Sequence, residues 1–268
     1  MKKGKNSPLF MFLVGGLSLV SFCGCDLGLF FRSTECLDVA AAVADVPTTG
    51  SISGSKWRYQ LQNADPDEIA DTTFDTLVID YSSDGTEDGR YTAAEMTTIK
   101  AGGGGNRQVL AYLSIGEAED YRYYFEEAWT ATLPGQPTRD APQWLGRTNP
   151  EWAGNYKVQY WSEEWQEIVL AYLDRIIDDG FDGVYLDIID AWEYWSDEDN
   201  GEGFCLEPVV AAARMINLVK VIAEYARTTC GKTDFLIFPQ NGEPILEYDT
   251  GLEENVENDF LNVISGIG

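Results

Sequence analysis

Histidine is absent from the 268 residues of this chain. Its absence excludes Ser-His-Asp and Cys-His nucleophilic catalysis and every histidine-based zinc site, so acid–base chemistry falls to carboxylates, tyrosine or lysine. Basic residues are scarce as well, since 18 lysines and arginines stand against 45 acidic residues and give a net charge of -27. That charge would repel nucleic-acid phosphates and attract a cationic ligand. Taken alone, however, it is better explained by solubility or a salty habitat.

The N-terminal segment has the pattern of an export signal. An apolar stretch at residues 9–20 follows three nearby lysines and is too short to span a bilayer comfortably. The residues before Cys25 resemble a bacterial lipoprotein cleavage site. We therefore expect a signal peptide over residues 1–25 and an exported cell-envelope lipoprotein, attached to the membrane only through a lipid on Cys25. A secreted or periplasmic protein without the lipid is the alternative.

Two further features concern the chain after the signal. Residues 26–55 are rich in Ala, Ser, Thr and Gly without periodicity, which predicts a flexible tether before a folded domain at residues 56–268. Within that domain the cysteines are Cys205 and Cys230. Export would permit a disulfide between them, and two unpaired buried thiols are the alternative.

The folded part alternates predicted strands with predicted helices, which is typical of a parallel sheet wrapped by helices. Strand-forming runs occur at residues 57–62, 76–81, 108–116, 184–186, 235–238 and 262–267. Helical spacing and capping residues predict helices at residues 66–71, 92–100, 162–179 and 208–227. Thr92 and Glu95 have the spacing of a capping box, and Ser162 is expected to cap the third helix. The apolar stripe of that helix is expected to face the core: Trp165, Ile168, Val169, Tyr172 and Ile176. The aromatic and proline-rich segment after the third strand is predicted to be a loop, and residues 196–203 are interpreted as a solvated turn.

This alternation predicts an α/β fold of the (β/α)8 TIM-barrel type, with only about six of its strands present in the chain. No glycine-rich phosphate-binding pattern follows a predicted strand, which disfavours a nucleotide-binding doubly wound sheet. Polar residues recur just beyond the strands, and a barrel would gather them in one mouth: Asp80, Glu117, Glu119, Asp187, Asp190, Gln240 and Asn241.

Asp187 is the strongest single candidate for a functional residue. It interrupts an apolar run at the point where a buried strand should end. An ionised carboxylate is unfavourable there unless it is paired or used. Ligands of α/β proteins bind at that end of the strands, so the position favours a functional role over a turn or a helix cap.

Four segments resemble glycoside hydrolase family 114 and occur in the family's order: YLSIGEAEDYR at 112–122, NYKVQYW at 155–161, GFDGVYLDIIDA at 180–191 and PQNGE at 239–243. The family contains endo-α-1,4-polygalactosaminidases, and the resemblance extends from residue 57 to the end of the chain. It implies a TIM-like barrel that cleaves an α-linked, galactosamine-containing polysaccharide, which is cationic where deacetylated. No metal or organic cofactor is implied.

The resemblance also implies a pair of catalytic carboxylates. Asp187 matches the family's aspartate at the end of the fourth strand and would be the nucleophile, held ionised by hydrogen bonds. The second family carboxylate is a glutamate after the sixth strand, and this sequence reaches Gly268 before it. We therefore expect a barrel incomplete at its C-terminus, in which Glu117 is the nearest substitute and would bind sugar or tune Asp187.

Residues around this pair are expected to bind the sugar: Asp80, Tyr112, Glu119, Arg122, Trp152, Asp190, Gln240 and Asn241. Simpler roles stay open for several of them. Glu119 and Arg122 could form a local ion pair, Asp190 could cap a short helix, and Trp152 could pack its own loop. The alternative functions are a non-catalytic carbohydrate-binding surface lipoprotein and a structural surface protein.

Overall fold

A computed structural model describes residues 56–105, 107–130, 135–248 and 259–268. The predicted signal peptide, the tether and the expected anchor at Cys25 lie outside the described residues. The strands are β1 (Trp57–Gln60), β2 (Thr76–Ile79), β3 (Gln108–Ser114), β4 (Glu117–Glu119), β5 (Leu145–Thr148), β6 (Asn155–Val158), β7 (Gly183–Asp187) and β8 (Leu236–Pro239). The α-helices are α1 (Pro66–Ala70), α2 (Ala93–Ala101), α3 (Glu163–Asp179), α4 (Ala191–Ser196), α5 (Pro208–Glu224) and α6 (Asp259–Val263).

Five parallel strands form the main sheet in the order β1-β2-β3-β7-β8. Neighbours in this sheet also succeed one another along the chain once the inserted strands β4, β5 and β6 are set aside. Helices α1, α2, α3 and α5 lie in the connections between them. That succession is the one found in TIM-type barrels, so the predicted strand–helix alternation and the α/β class are confirmed.

Strands β2, β3, β7 and β8 are buried, and their residues alternate between two apolar clusters. Leu77 and Ile79 join the large core that the helices complete. The opposite face carries a smaller cluster of Val78, Leu110, Tyr185, Leu236 and Phe238. Helix α3 presents the predicted stripe to the large core, with Trp165, Val169, Tyr172 and Ile176 buried.

A second, antiparallel sheet of β4, β6 and β5 replaces part of the predicted aromatic loop. The loop prediction was therefore wrong for the residues of β5 and β6. Each of the three strands has only three or four residues, which is too short for an alternating pattern to stand out. Their pairing is also distant in sequence, because Glu117 lies opposite Lys157.

The prediction of a sixth strand at residues 262–267 was also wrong, because α6 ends at Val263 and no strand follows it within the described residues. Phe260, Val263 and Ile264 are buried, at the spacing of a helix rather than a strand. The chain after the helix nevertheless runs beside β8. The Ser265 N–H donates to the Ile237 carbonyl at 2.8 Å, and the Gly268 N–H donates to the Pro239 carbonyl at 2.9 Å.

Three details concern helix ends and thiols. Thr92 and Glu95 form the predicted capping box at the start of α2, whereas Ser162 precedes α3 without a side-chain capping bond. Cys205 has no disulfide partner among the described residues, so a Cys205–Cys230 bridge is not formed, and the Cys230 thiol lies 3.9 Å from Asp174 Oδ1. None of the described helices is long and apolar enough to cross a membrane.

Candidate active site

A cavity of about 840 Å³ opens at the carboxyl ends of the parallel strands. Eight of the predicted site residues line it: Asp80, Tyr112, Glu117, Glu119, Trp152, Asp187, Gln240 and Asn241. Sequence reasoning did not include other lining residues, among them Tyr59, Asp84, Tyr121 and Asn155. Arg122 and Asp190 are outside the lining formed by the described residues. The structure thus gathers most of the predicted set around one hollow.

Asp187 ends strand β7, and its carboxyl group faces this cavity. The Tyr112 hydroxyl donates a hydrogen bond of 2.6 Å to Asp187 Oδ2. Burial raises the pKa of Asp187 above its ordinary value, although the bonds from Tyr112 and from the Ile188 N–H oppose the rise. The expected hydrogen bonds therefore exist, but burial outweighs them, and Asp187 accepts a proton more readily than an exposed aspartate does.

The turn after Asp187 is held in an unusual backbone conformation. Ile188 has a φ of 61°, a left-handed conformation that is unfavourable for a β-branched residue by about 1–3 kcal/mol. Gly116 packs against this turn so closely that a Cβ atom there would lie 2.2 Å from the Ile188 carbonyl oxygen. Gly242, in the segment that follows β8, also packs against this turn, and a Cβ there would lie 2.6 Å from Ile189 Cγ2. Two neighbouring segments therefore fix the turn that carries Asp187.

Glu117 is fully buried on β4 and belongs to what we call the Glu117 cluster: Glu117, Asn149, Asn155 and Lys157. Lys157 on the facing strand β6 forms an ion pair with Glu117 Oε1. Asn149 Nδ2 donates to the same oxygen at 2.9 Å, and Asn155 Nδ2 donates to Oε2 at 3.2 Å. Asn155 and Lys157 occur in the NYKVQYW segment, two residues apart and so on one face of the strand, which is the signal that could have identified them.

The segment interpreted as a solvated turn is attached to this cluster. Lys157 Nζ lies 5.0 Å from the centre of the Tyr194 ring. The Tyr194 hydroxyl donates to Glu202 Oε1 at 2.7 Å, and the Arg147 N–H donates to the same oxygen at 2.8 Å. Glu202 therefore ties residues 196–203 to strand β5, and the interpretation as a purely solvated turn was wrong for this residue.

A second buried group, the Arg122 cluster, consists of Asp80, Glu119 and Arg122. The guanidinium of Arg122 binds both oxygens of Asp80, at 2.9 and 2.8 Å, and Oε2 of Glu119, at 2.7 Å. The ion pair that the sequence left open as an alternative for Glu119 and Arg122 is therefore present. It commits the guanidinium to protein carboxylates, which leaves Arg122 a positioning role behind the cavity wall.

Aromatic rings form the rim of the cavity. The exposed fractions of Tyr59, Tyr121 and Trp152 are 41%, 48% and 67%. The Tyr121 hydroxyl donates to Glu119 Oε1 at 2.6 Å, and its ring lies 4.6 Å from the Arg122 guanidinium carbon. Tyr121 is thus held at its hydroxyl and on one ring face while much of its surface stays open.

The remaining predicted residues lie near β8 and α4. Gln240 follows β8, and its side-chain oxygen is buried without a hydrogen-bond partner among the described residues. Asn241 beside it has a φ of 57°. Asp190 precedes α4 without a side-chain capping bond, so the structure does not support the capping role that the sequence left open for it.

Carboxylates at the carboxyl ends of parallel strands, facing a cavity rimmed by aromatic rings, define an enzyme-like site of the TIM-barrel class. The chain matches glycoside-hydrolase family GH114 over residues 38–255. It belongs to that family, and the resemblance seen in its sequence motifs is confirmed.

Two curated relatives are similar to this chain over most of its length. An uncharacterised protein of Methanocaldococcus jannaschii is 45% identical over 210 residues, covering 78% of this chain and 54% of the relative. An uncharacterised protein of Thermotoga maritima is 49% identical over 195 residues, covering 73% of this chain and 55% of the relative. The matched part of the chain thus spans about half the length of these relatives.

Among solved structures, Aspergillus fumigatus Ega3 in complex with galactosamine resembles this chain with a TM-score of 0.52. The two are 18% identical, and the match covers 83% of this chain and 67% of Ega3. At that identity the likeness concerns the fold, and with the sheet order it confirms the prediction of a TIM-type α/β fold.

Proposed function

We propose that this chain is a glycoside hydrolase that cleaves an α-linked, galactosamine-containing polysaccharide. Membership of family GH114 supports the reaction class. The fold likeness to Ega3, which was solved with galactosamine, supports the sugar. The observation that carries the proposal is the position of Asp187, whose carboxyl group ends a central strand, faces the cavity and has a raised pKa.

In this proposal Asp187 is the nucleophile, and the glutamate that the family resemblance implies after the sixth strand protonates the leaving oxygen. Tyr112 orients Asp187 through its hydroxyl bond. Burial raises the pKa of Tyr112, with Glu119 and Asp187 adding to the rise, so the phenol remains a donor over the working range of pH. Because a nucleophilic carboxylate must be ionised, hydrolysis should fall in acid at a higher pH than an ordinary aspartate would impose.

Glu117 is the second carboxylate that the sequence offered. The donors of the Glu117 cluster occupy both oxygens of its carboxyl group, which suits a stationary charge better than a proton donor. That charge contributes to the raised pKa of Asp187. We therefore propose that Glu117 adjusts the pKa of Asp187 and helps to shape the sugar site. Adjusting Asp187 is one of the two roles that the sequence led us to expect for Glu117.

The lining of the cavity suits a cationic polymer. Five carboxylates line it: Asp80, Asp84, Glu117, Glu119 and Asp187. Lysine and arginine are absent from the lining formed by the described residues. Trp152 at the rim could stack on a sugar face, and the unpartnered oxygen of Gln240 could accept a sugar hydroxyl. Partly deacetylated galactosamine chains offer both the amines and the hydroxyls.

Export and anchoring are separate parts of the proposal. The basic and apolar N-terminal residues support a signal peptide at residues 1–25, and the residues before Cys25 support lipidation there. Labelling expressed cells with a radioactive fatty acid would test the anchor. Incorporation by the natural chain and its loss in a Cys25→Ala variant are expected, and equal labelling of both would contradict it.

The catalytic assignment is tested by measuring reducing ends released from partially deacetylated galactosaminogalactan. We expect Asp187→Asn to lower the rate by at least about 10³-fold, as removal of a nucleophile does. Asp178→Asn, an exposed change on α3, should keep the natural rate. Equal rates for the natural chain and Asp187→Asn would refute the nucleophile assignment. Binding without any cleavage by the natural chain would instead identify a carbohydrate-binding protein.

The role of Glu117 is tested with an aryl glycoside whose leaving group needs no protonation. If Glu117 only tunes Asp187, Glu117→Gln should slow cleavage of the polymer and of the aryl glycoside by similar factors. A defect confined to the polymer would show that Glu117 is the proton donor and would contradict the tuning role.

A further inference from the structure

The carboxylates of the cavity differ in how much charge they can offer to a ligand. In the Arg122 cluster, Asp80 and Glu119 share one guanidinium. In the Glu117 cluster, the carboxylate is paired with a lysine and bonded by two amides. Asp187 accepts a hydrogen bond from the Tyr112 hydroxyl and is the proposed nucleophile. These four groups are therefore largely committed within the protein.

Asp84 differs from the other four lining carboxylates in its exposure and in its partners. It is exposed at the rim and forms no ion pair with any described residue. The backbone N–H and the hydroxyl of Thr86 both donate to its Oδ1, at 3.0 and 2.8 Å. These bonds lower the pKa of Asp84 below its ordinary value. The side chain is thus oriented and charged, and its charge is not neutralised by a protein cation.

Tyr121 lies beside the same rim segment. A Cβ atom on Gly85, the residue after Asp84, would lie only 2.9 Å from Tyr121 Cε2. The hydroxyl bond to Glu119 and the contact with Arg122 fix the ring. Bidentate pairing with Asp80 compensates the charge of Arg122, so the guanidinium does not prevent the ring from meeting a second cation. A fixed aromatic face next to an unpaired carboxylate is a suitable place for an ammonium group.

We propose that Asp84 and Tyr121 form a rim subsite that takes a protonated amino group of the sugar chain. This inference rests on the proposed function and identifies the residues that bind the amino group of the sugar. An N-acetylated sugar carries no charge at that position, so it gains neither the ion pair nor the cation–π contact. The subsite would therefore favour deacetylated stretches of the polymer over acetylated ones, while Asp187 would act on either.

Titration calorimetry with two short α-1,4-linked oligosaccharides, one of galactosamine and one fully N-acetylated, tests the subsite. All variants carry Asp187→Asn so that the ligand is not cleaved, and the buffer keeps the amines protonated. Asp84→Asn should weaken binding of the galactosamine oligosaccharide by about 2- to 5-fold, the range of an exposed ion pair. Binding of the acetylated oligosaccharide should not change. Asp88→Asn, an exposed change in the same segment that does not line the cavity, should alter neither affinity.

The aromatic partner is tested by comparing two substitutions. Tyr121→Phe and Tyr121→Leu both lose the bond to Glu119, but only the leucine loses the ring. The leucine variant should bind the galactosamine oligosaccharide about 2- to 5-fold more weakly than the phenylalanine variant, with a smaller difference for the acetylated ligand. Equal effects on both ligands, or equal effects of Asp84→Asn and Asp88→Asn, would overturn the subsite.

The cleavage assay separates failure of the subsite from failure of the proposed function. Cleavage of the acetylated oligosaccharide in preference to the galactosamine one would retain the hydrolase and overturn the subsite. If the natural chain neither binds nor cleaves either oligosaccharide, the proposed function fails and the subsite fails with it.

Discussion

Replacing Arg122 with methionine would leave two buried carboxylates without their shared cation. The Arg122 side chain is fully buried, and the side chains of Asp80 and Glu119 are only 6% and 4% exposed. Removing one partner of a buried ion pair costs about 3–5 kcal/mol, because the remaining charge has neither water nor a counter-charge. We therefore expect the free energy of unfolding to fall by about 3–5 kcal/mol at pH 7, a large fraction of the total for a typical domain.

The pH dependence follows from the same cause. In Arg122→Met, loss of the cation that opposes the effect of burial would raise the pKa of Glu119 further above its ordinary value. The Glu119 carboxyl is protonated in the folded and the unfolded chain below its unfolded pKa, so the destabilisation should be small near pH 3 and should grow as the pH rises through the raised pKa. The deficit at pH 7 should therefore exceed the deficit at pH 3.

Urea unfolding followed by tryptophan fluorescence measures both quantities. Lys100→Met is a matched control, because its pair with Asp182 is about one-third exposed on each side and should contribute at most about 1 kcal/mol. Arg122→Lys keeps the charge but loses the two-pronged contact with Asp80, so it should lie between the natural chain and the methionine variant. A loss below about 1 kcal/mol for Arg122→Met, or an equal loss at pH 3 and pH 7, would refute the reasoning.

Three further predictions concern single sites. Asp187→Asn should raise the free energy of unfolding at pH 7, because the raised pKa makes ionisation of the folded aspartate unfavourable. Well below pH 3.8 the aspartate is protonated in both states, so the substitution should leave this free energy unchanged. An equal effect at both pH values would contradict this reasoning. Thr92→Ala should lower the free energy of unfolding by about 1 kcal/mol, because the capping box is lost. Thr97→Ala, in the middle of α2, should have little effect on it. Equal losses in the two variants would contradict a stabilising role of the cap. Gly116→Ala should destabilise the chain by about 1–3 kcal/mol and slow hydrolysis, because the added methyl displaces the turn after Asp187; natural stability and rate would show that the turn yields freely.

Local patterns in the sequence determined much of the fold and the family. Apolar runs with strand-forming residues located four of the five parallel strands, β2, β3, β7 and β8, because a strand buried on both faces leaves a continuous apolar segment. Thr92 and Glu95 predicted the start of α2 because a capping box requires a fixed local spacing. Asp187 was identified as a functional candidate because a carboxylate at the end of a buried apolar run is unfavourable unless it is paired or takes part in binding or catalysis.

Tertiary structure alone decided how the site residues are paired. Tyr112 bonds Asp187 across 75 residues, Arg122 binds Asp80 across 42, and Lys157 pairs with Glu117 across 40. Contacts between such distant residues leave no periodic trace in a single sequence. The short strands β4, β5 and β6 escaped prediction for the same reason, since their pairing comes from a partner strand rather than from their own pattern. The sequence could therefore name four of the five acids of the cavity. Only the folded chain showed which of them are committed to protein partners, and only it added Asp84, which is not paired with a described protein cation.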